Sequence, residues 1–308
     1  MTGTSAREGQ TFAGESRLAR WASFVKLPHT VFALPFALVG ATFATRVAPI
    51  TPAIVAWVVL AFTSARWVAM AVNRIVDREY DARNPRTAQR EIPRGAIGVR
   101  EAWVTVVVAA ALLVWASWQL NPLCFALSPV ALAWVCFYSF TKRFTRYAHL
   151  VLGLGLAIAP VGGYLAVTGV WSDPWWMLIA LAVAVMAWSG GFDILYALPD
   201  VEFDRSQGLH SIPAAVGVPR AIGIARTLHV LTVAAFALTV WVVGAGMLAW
   251  LGVGVAGAVL AYEHSLVSAD DLSKLDAAFF TMNGVISMTF FAFVLMDRLV
   301  DRLVDRVF

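Results

Sequence analysis

The chain has 308 residues, of which 60% are hydrophobic and only 14% charged, with a formal net charge of +4. A soluble domain carries roughly a quarter charged residues, so this composition excludes an ordinary water-soluble enzyme and points to a chain solvated by lipid. So small a positive charge reads as loop bias rather than nucleic-acid affinity, and Cys124 and Cys136, without metal-ligand spacing, read as packing residues.

In chain order, residues 1–20 begin small and polar and are expected to form a disordered tail. Nine apolar segments follow, at about 21–45, 51–73, 102–120, 122–141, 147–169, 174–192, 221–243, 244–261 and 277–296. Each can cross roughly 30 Å of hydrocarbon. Asn121-Pro122 divides the third from the fourth, and Gly244 and Gly246 divide the seventh from the eighth. With the N-terminus placed in the cytoplasm, the inner segments hold 16 Lys and Arg residues and the outer turns hold one, Arg46. That asymmetry follows the positive-inside rule. The predicted fold is an all-α membrane protein of about nine transmembrane helices around a central cavity, forming one domain over 21–296. It would sit in a bacterial-type inner (plasma) membrane with its motif loops facing the cytoplasm. Residues 297–308, DRLVDRLVDRVF, repeat every four residues and predict a salt-bridged amphipathic helix lying on the surface.

The second segment ends in NRIVDREYD, with Asn73, Asp77 and Asp81 at four-residue steps. The sixth ends in DILYALPDVEFD, where Asp200 and Asp204 repeat the step, and both motifs are soon followed by Ile-Pro. The matched pair suggests a degenerate duplication with two acidic helix ends facing one cavity. On a continuous helix, residues four apart share a face, so 73, 77 and 81 would form a polar stripe roughly 12 Å long. Crowded carboxylates repel unless a cation lies among them. Mg²⁺ suits, because it takes oxygen ligands and is commonly shared between carboxylates and substrate phosphates. Two such stripes would clamp a diphosphate. The same aspartates have a plainer reading, as solvated partners of the seven arginines in 74–100.

Basic residues extend the pattern. Arg66 lies inside the second segment, seven residues before Asn73 and on nearly the same face. Arg86 and Arg90 follow the first motif and suit phosphate oxygens. Tyr138 and Lys142, in YSFTKRFT, form another four-residue pair, with Lys142 a point charge for a leaving diphosphate. The five histidines show no metal-ligand spacing.

These motifs, NRIVDREYD, YSFTK and DILYALPDVEFD, resemble those of the UbiA superfamily of intramembrane prenyltransferases, in order and over essentially the whole chain. DARNPRTAQREIPRG, TKRFT and GLHSIP further resemble its quinone-pathway branch, the 4-hydroxybenzoate polyprenyltransferases and the futalosine-route menaquinone enzymes. The resemblance implies a nine-helix fold open laterally to lipid, binding a polyprenyl diphosphate and a small aromatic hydroxy-acid. It implies that Asn73, Asp77, Asp81, Asp200 and Asp204 hold Mg²⁺-diphosphate and that Arg66, Arg86, Arg90 and Lys142 contact phosphate. Tyr138 would stand beside the reacting allylic carbon, and Asp193 would position the acceptor or a basic residue. Arg74 is a departure, because some relatives carry an acidic residue there. Other acceptors (haem, a sugar phosphate), a CDP-alcohol phosphotransferase and a secondary transporter are the competing readings. The split of the aspartates over two distant helices, at one face of the membrane, speaks against the last two.

Overall fold

The computed structural model describes residues 16–272, 275 and 281–307, and among them every regular element is helical. Of the tail expected over 1–20, residues 1–15 lie outside the described residues, as does the start of the last segment, whereas residues 17–20 are helical and not disordered. Eight helices are long and apolar enough to cross a membrane. They are α3 (Pro52–Val76), α5 (Val99–Leu120), α6 (Pro122–Phe137 with its continuation to Arg143), α7 (Ala148–Thr168), α8 (Trp176–Tyr196), α11 (Val218–Val242), α12 (Met247–Leu266) and α13 (Asn283–Val307). Alongside them runs α2 (Leu27–Ala44), whose 18 residues extend about 27 Å.

Local chemistry sets the boundaries. Asn121 accepts the Cys124 amide at 2.9 Å and so caps α6, while its own amide donates to Leu165 O at 2.8 Å and ties that end to α7. Thr51 caps α3 in the same way, ahead of Pro52. One further expectation is corrected. The first segment does not run unbroken from residue 21, because Lys26 adopts a left-handed conformation (φ 48°) that separates α1 (Arg17–Phe24) from α2. Residues 297–307 are helical and ion-paired, with Arg46 at 2.7 Å from Asp301, and they continue α13 without a break; Asp297, where they begin, is 4% exposed.

Asp297 closes the end of the bundle away from the acidic motifs. Its carboxylate accepts the amides of Gly246 (2.9 Å) and Ala249 (3.3 Å), which caps α12 from another helix, and it takes Arg46 at 3.1 Å. Arg298 donates to Thr45 Oγ1 at 3.0 Å, so the first and last long helices are joined there.

Lipid is as apolar as the side chains, so helix association rests on packing rather than on exclusion of water. One half of the bundle is packed around an aromatic column. Phe36, Trp188, Phe236 and Phe290 come from α2, α8, α11 and α13 and are essentially unexposed, with ring centroids 4.2–5.8 Å apart. Helices α2 and α7 approach backbone to backbone. A Cβ on Gly163 would lie 1.9 Å from Ala37 O, and one on Gly40 1.8 Å from Pro160 O. Gly163→Ala is therefore expected to lower the midpoint of heat inactivation in detergent, by a destabilisation of about 1–3 kcal/mol. Gly162→Ala, which meets nothing within 4 Å, is expected to leave it unchanged. Equal midpoints would show that the helices separate at little cost.

Between this half and α3, α5 and α6 lies a cavity of about 380 Å³. Arg66 and Tyr138 line one end, Leu120 and Cys124 the other, a length of about 20 Å along α6. Apart from Arg66, Tyr138, Ser117 and Ser128, its lining side chains are apolar.

Candidate active site

Neither acidic motif lies on one straight helix. Helix α3 ends at Val76, Asp77 takes φ −89° and ψ 5°, and α4 (Arg78–Arg83) begins at once. The second motif repeats this almost angle for angle. A 3-10 turn (Leu198–Asp200) follows α8, Asp200 takes φ −91° and ψ 2°, and α9 (Val201–Ser206) begins. Such angles fall in the sparsely allowed bridge region. The expected straight stripe is thus corrected to two bends, each at a leading aspartate. The Asp77 amide still donates to Asn73 O (2.9 Å) and the Asp81 amide to Asp77 O (2.8 Å), so local order survives the bend. Past the bends the trailing carboxylates are buried, Asp81 6% exposed and Asp204 2%, as is Asp200 at 7%.

Each motif carboxylate meets a cation. Arg86 grips Asp200 with two nitrogens, Nε to Oδ1 at 3.0 Å and Nη2 to Oδ2, while Asn84 donates to Oδ1 at 3.1 Å. Arg90 donates to Asp81 Oδ1 at 2.7 Å. Arg143 donates to Asp77 Oδ1 at 3.0 Å, and Asn73 to Oδ2 at 2.8 Å. Lys142 Nζ lies 3.8 Å from Asp204 and within electrostatic reach of Asp193, Asp200 and Asp77. The loops carrying these groups are joined by their backbones and side chains, His210 N–H to Lys142 O at 2.7 Å and Arg83 to Gln207 at 3.3 Å.

Tyr138 and Lys142 do not form a helix-face pair. Residues 138–143 are a 3-10 helix, in which positions three apart eclipse and positions four apart diverge. That turn sends Lys142 toward the second motif and Arg143 toward the first. Tyr138 lies among the charges of Asp193, Asp77, Arg66 and Arg74 while lining the apolar cavity. Arg66 stands in the cavity wall well above the aspartates, and its Nε is buried without a hydrogen-bond partner. Arg74, the departure from the acidic pattern, is 4% exposed and turned toward Phe24 O.

Four contributors escape a reading by motif spacing. Arg143 was hidden by its neighbour Lys142. Asn84 lies three residues beyond Asp81 with nothing to mark it. Lys26, left-handed in its backbone, reaches Tyr196 Oη at 3.4 Å, while Arg86 stacks on the same ring at 4.8 Å. His149, without exposure, places Nδ1 2.7 Å from Asp193 Oδ2.

The donors present fit a magnesium ion. Among the described residues no three His, Cys, Asp or Glu side chains form a ready cluster. Yet Asp81 Oδ2 and Asp204 Oδ2, one from each motif, are buried with no hydrogen-bond partner, the second having only Lys142 Nζ at 3.8 Å. Buried carboxylate oxygens without hydrogen bonds are costly, and hard oxygen donors are what Mg²⁺ takes.

Burial holds the Asp77 carboxyl above its ordinary value of 3.8, and the charge of Asp81 pushes the same way, against Arg143 and Lys142. A carboxyl raised on folding binds its proton more tightly in the folded chain. Its contribution to stability is full below the ordinary value and is lost as pH rises through the raised one. Asp77→Asn is therefore expected to flatten the pH dependence of heat inactivation of metal-free protein over the weakly acidic range, and to raise the midpoint at neutral pH. A lower midpoint would mean that the Arg143 pair outweighs the burial.

The chain is thus a multi-pass helical bundle with carboxylates and cations gathered at one end of an apolar cavity. The chain belongs to the UbiA prenyltransferase family, whose model matches residues 33–285. It is 30% identical over 233 residues to a 4-hydroxybenzoate octaprenyltransferase of Citrobacter koseri, covering 74% of this chain and 79% of that one. The figures for its counterpart in Idiomarina loihiensis are 30% over 228 residues, 73% and 78%. Among solved structures, a UbiA homologue from Aeropyrum pernix K1 is similar with a TM-score of 0.80 at 32% identity, over 87% of this chain and 98% of that one. A UbiA homologue from Archaeoglobus fulgidus, bound to DMAPP and Mg²⁺, shares the fold with a TM-score of 0.70 at 21% identity, over 91% and 99%.

Proposed function

We propose that this protein is a Mg²⁺-dependent enzyme of quinone biosynthesis, ubiquinone or menaquinone. It would move a polyprenyl group from polyprenyl diphosphate to the ring of a small aromatic hydroxy-acid, 4-hydroxybenzoate or a dihydroxynaphthoate. The observation that carries the reading is the pair of buried carboxylate oxygens without a hydrogen bond, Asp81 Oδ2 and Asp204 Oδ2 (the latter with only Lys142 at 3.8 Å), at the charged end of an apolar cavity. The names of the Citrobacter and Idiomarina relatives support the acceptor class, and the DMAPP and Mg²⁺ held by the Archaeoglobus homologue support the metal.

Asn73, Asp77, Asp81, Asp200 and Asp204 would hold the metal, which supplies positive charge for the departing diphosphate. Arg86, Arg90 and Lys142 are already drawn to the motif carboxylates, so turning from a carboxylate to a phosphate oxygen exchanges one charged partner for another. Arg66 offers its unmet Nε to an anionic group at the cavity wall. Tyr138 borders both the charged end and the cavity, where the allylic carbon would stand. The apolar lining keeps water from the allylic cation as the phenol ring attacks through the carbon beside its hydroxyl. We place the motif loops in the cytoplasm of a bacterial-type inner membrane, following the Lys and Arg asymmetry.

The test is transfer by membranes carrying the protein, from labelled polyprenyl diphosphate with Mg²⁺, offered 4-hydroxybenzoate or 1,4-dihydroxy-6-naphthoate. Prenylated product with one of them is expected and names the acceptor. Consumption of diphosphate without either product would redirect the search to another acceptor. Untouched diphosphate would overturn the reading.

A further inference from the structure

The His149–Asp193 pair belongs to neither acidic turn. His149 opens α7 and is entirely buried; Asp193 lies in the last turn of α8, its side chain 24% exposed. Nδ1 and Oδ2 are 2.7 Å apart, and His149 Nε2 is buried with no hydrogen-bond partner. That second nitrogen decides the proton's place. A proton there would leave an unmet N–H in the interior, whereas a bare lone pair costs less, so the proton sits on Nδ1 and is donated to the carboxylate. The other carboxylate oxygen, Oδ1, is then the one left for the site, in a side chain within electrostatic reach of Tyr138 and Lys142.

We propose that His149 is the positioning residue of Asp193: it fixes one carboxylate oxygen so that the other accepts the hydroxyl of a phenolic acceptor. The proposal rests on the functional reading above. A phenol donating to a fixed carboxylate is held with one ring edge toward the allylic carbon, and the partial charge it gains enriches the carbon beside the hydroxyl. An electron pair of that ring carbon forms the new carbon–carbon bond to the prenyl C1. The C1–O bond breaks with its pair leaving on the diphosphate, and the displaced ring proton passes to the released diphosphate. His149 touches none of these atoms and acts through Asp193. An ammonium in its place would not set the plane of Asp193, and an arginine fork would occupy both oxygens; an imidazole holds one oxygen and leaves the other to the site.

Two measurements test this. In protein labelled with ¹⁵N-histidine in detergent, a low-field proton coupled to an imidazole nitrogen is expected in the wild type and absent from both His149→Asn and Asp193→Asn. Its persistence in Asp193→Asn, or its absence from the wild type, overturns the hydrogen bond. In transfer kinetics, His149→Phe and Asp193→Asn are each expected to lower kcat about 10²-fold, with the KM for prenyl diphosphate little changed. The double variant is expected to be no worse than either single one, because both remove the same interaction. His149→Asn, whose amide N–H can replace Nδ1–H, is expected to recover most of the activity. Additive losses, an equal rise in the KM for prenyl diphosphate, or no recovery with Asn would make His149 a packing residue and overturn the proposal. If wild-type protein prenylates no phenolic acid, the functional reading and the acceptor's role fall together. The resonance then still decides, on its own, whether His149 anchors Asp193.

Discussion

Asp200→Ala and Asp81→Ala are each expected to reduce prenyl transfer about 10³-fold, one from each half of the site. The two carboxylates differ in how they are held. Asp200 is gripped by both arms of Arg86 and by Asn84, whereas Asp81 takes Arg90 on one oxygen and keeps the other bare. Under the proposed function, removing either takes a metal donor from the site, and it also releases an arginine. The released arginine still attracts phosphate, so the loss is expected in kcat, with the KM for prenyl diphosphate rising far less. Arg86→Gln should show the opposite balance, a raised KM with a smaller loss of kcat. Steady-state transfer by membranes with matched protein levels reads both constants. Activity of either alanine variant within about tenfold of wild type would remove the paired motifs from the chemistry.

Chelation is the second large effect. Treatment with EDTA is expected to abolish transfer, and added Mg²⁺ to restore it. Ca²⁺ is expected to restore much less, since its longer bonds and looser geometry suit compact carboxylate–phosphate bridging poorly. Transfer that survives chelation would mean that Arg86, Arg90, Lys142 and Arg143 stabilise the leaving group unaided, and the buried oxygens of Asp81 and Asp204 that lack a hydrogen bond would need another explanation.

Much of this arrangement was legible in the sequence, because lipid leaves few choices. Long apolar runs must be helices, and charges at their ends mark the faces of the membrane. The Asn121-Pro122 boundary was legible for the same reason, a cap followed by a residue that starts helices well. The geometry within the motifs was not. Four-residue spacing implies a shared face only on an unbroken α-helix, and the chain bends at Asp77 and Asp200 and tightens to a 3-10 turn at Tyr138. Spacing also cannot pair residues far apart in the chain. Arg86 with Asp200, Arg143 with Asp77 and His149 with Asp193 are separated by 114, 66 and 44 residues. The left-handed backbone at Lys26 had no glycine or asparagine to announce it.

Because every motif aspartate already has a basic partner, the protein carries its own counter-ions. Small metal-binding domains commonly need the ion in order to fold. Here the acidic turns are neutralised as soon as the helices meet, so insertion and assembly in the bilayer can be completed before any magnesium arrives. If transfer needs Mg²⁺ as proposed, a cell short of the ion would accumulate intact but silent protein, and resupply would restore the activity without new protein synthesis.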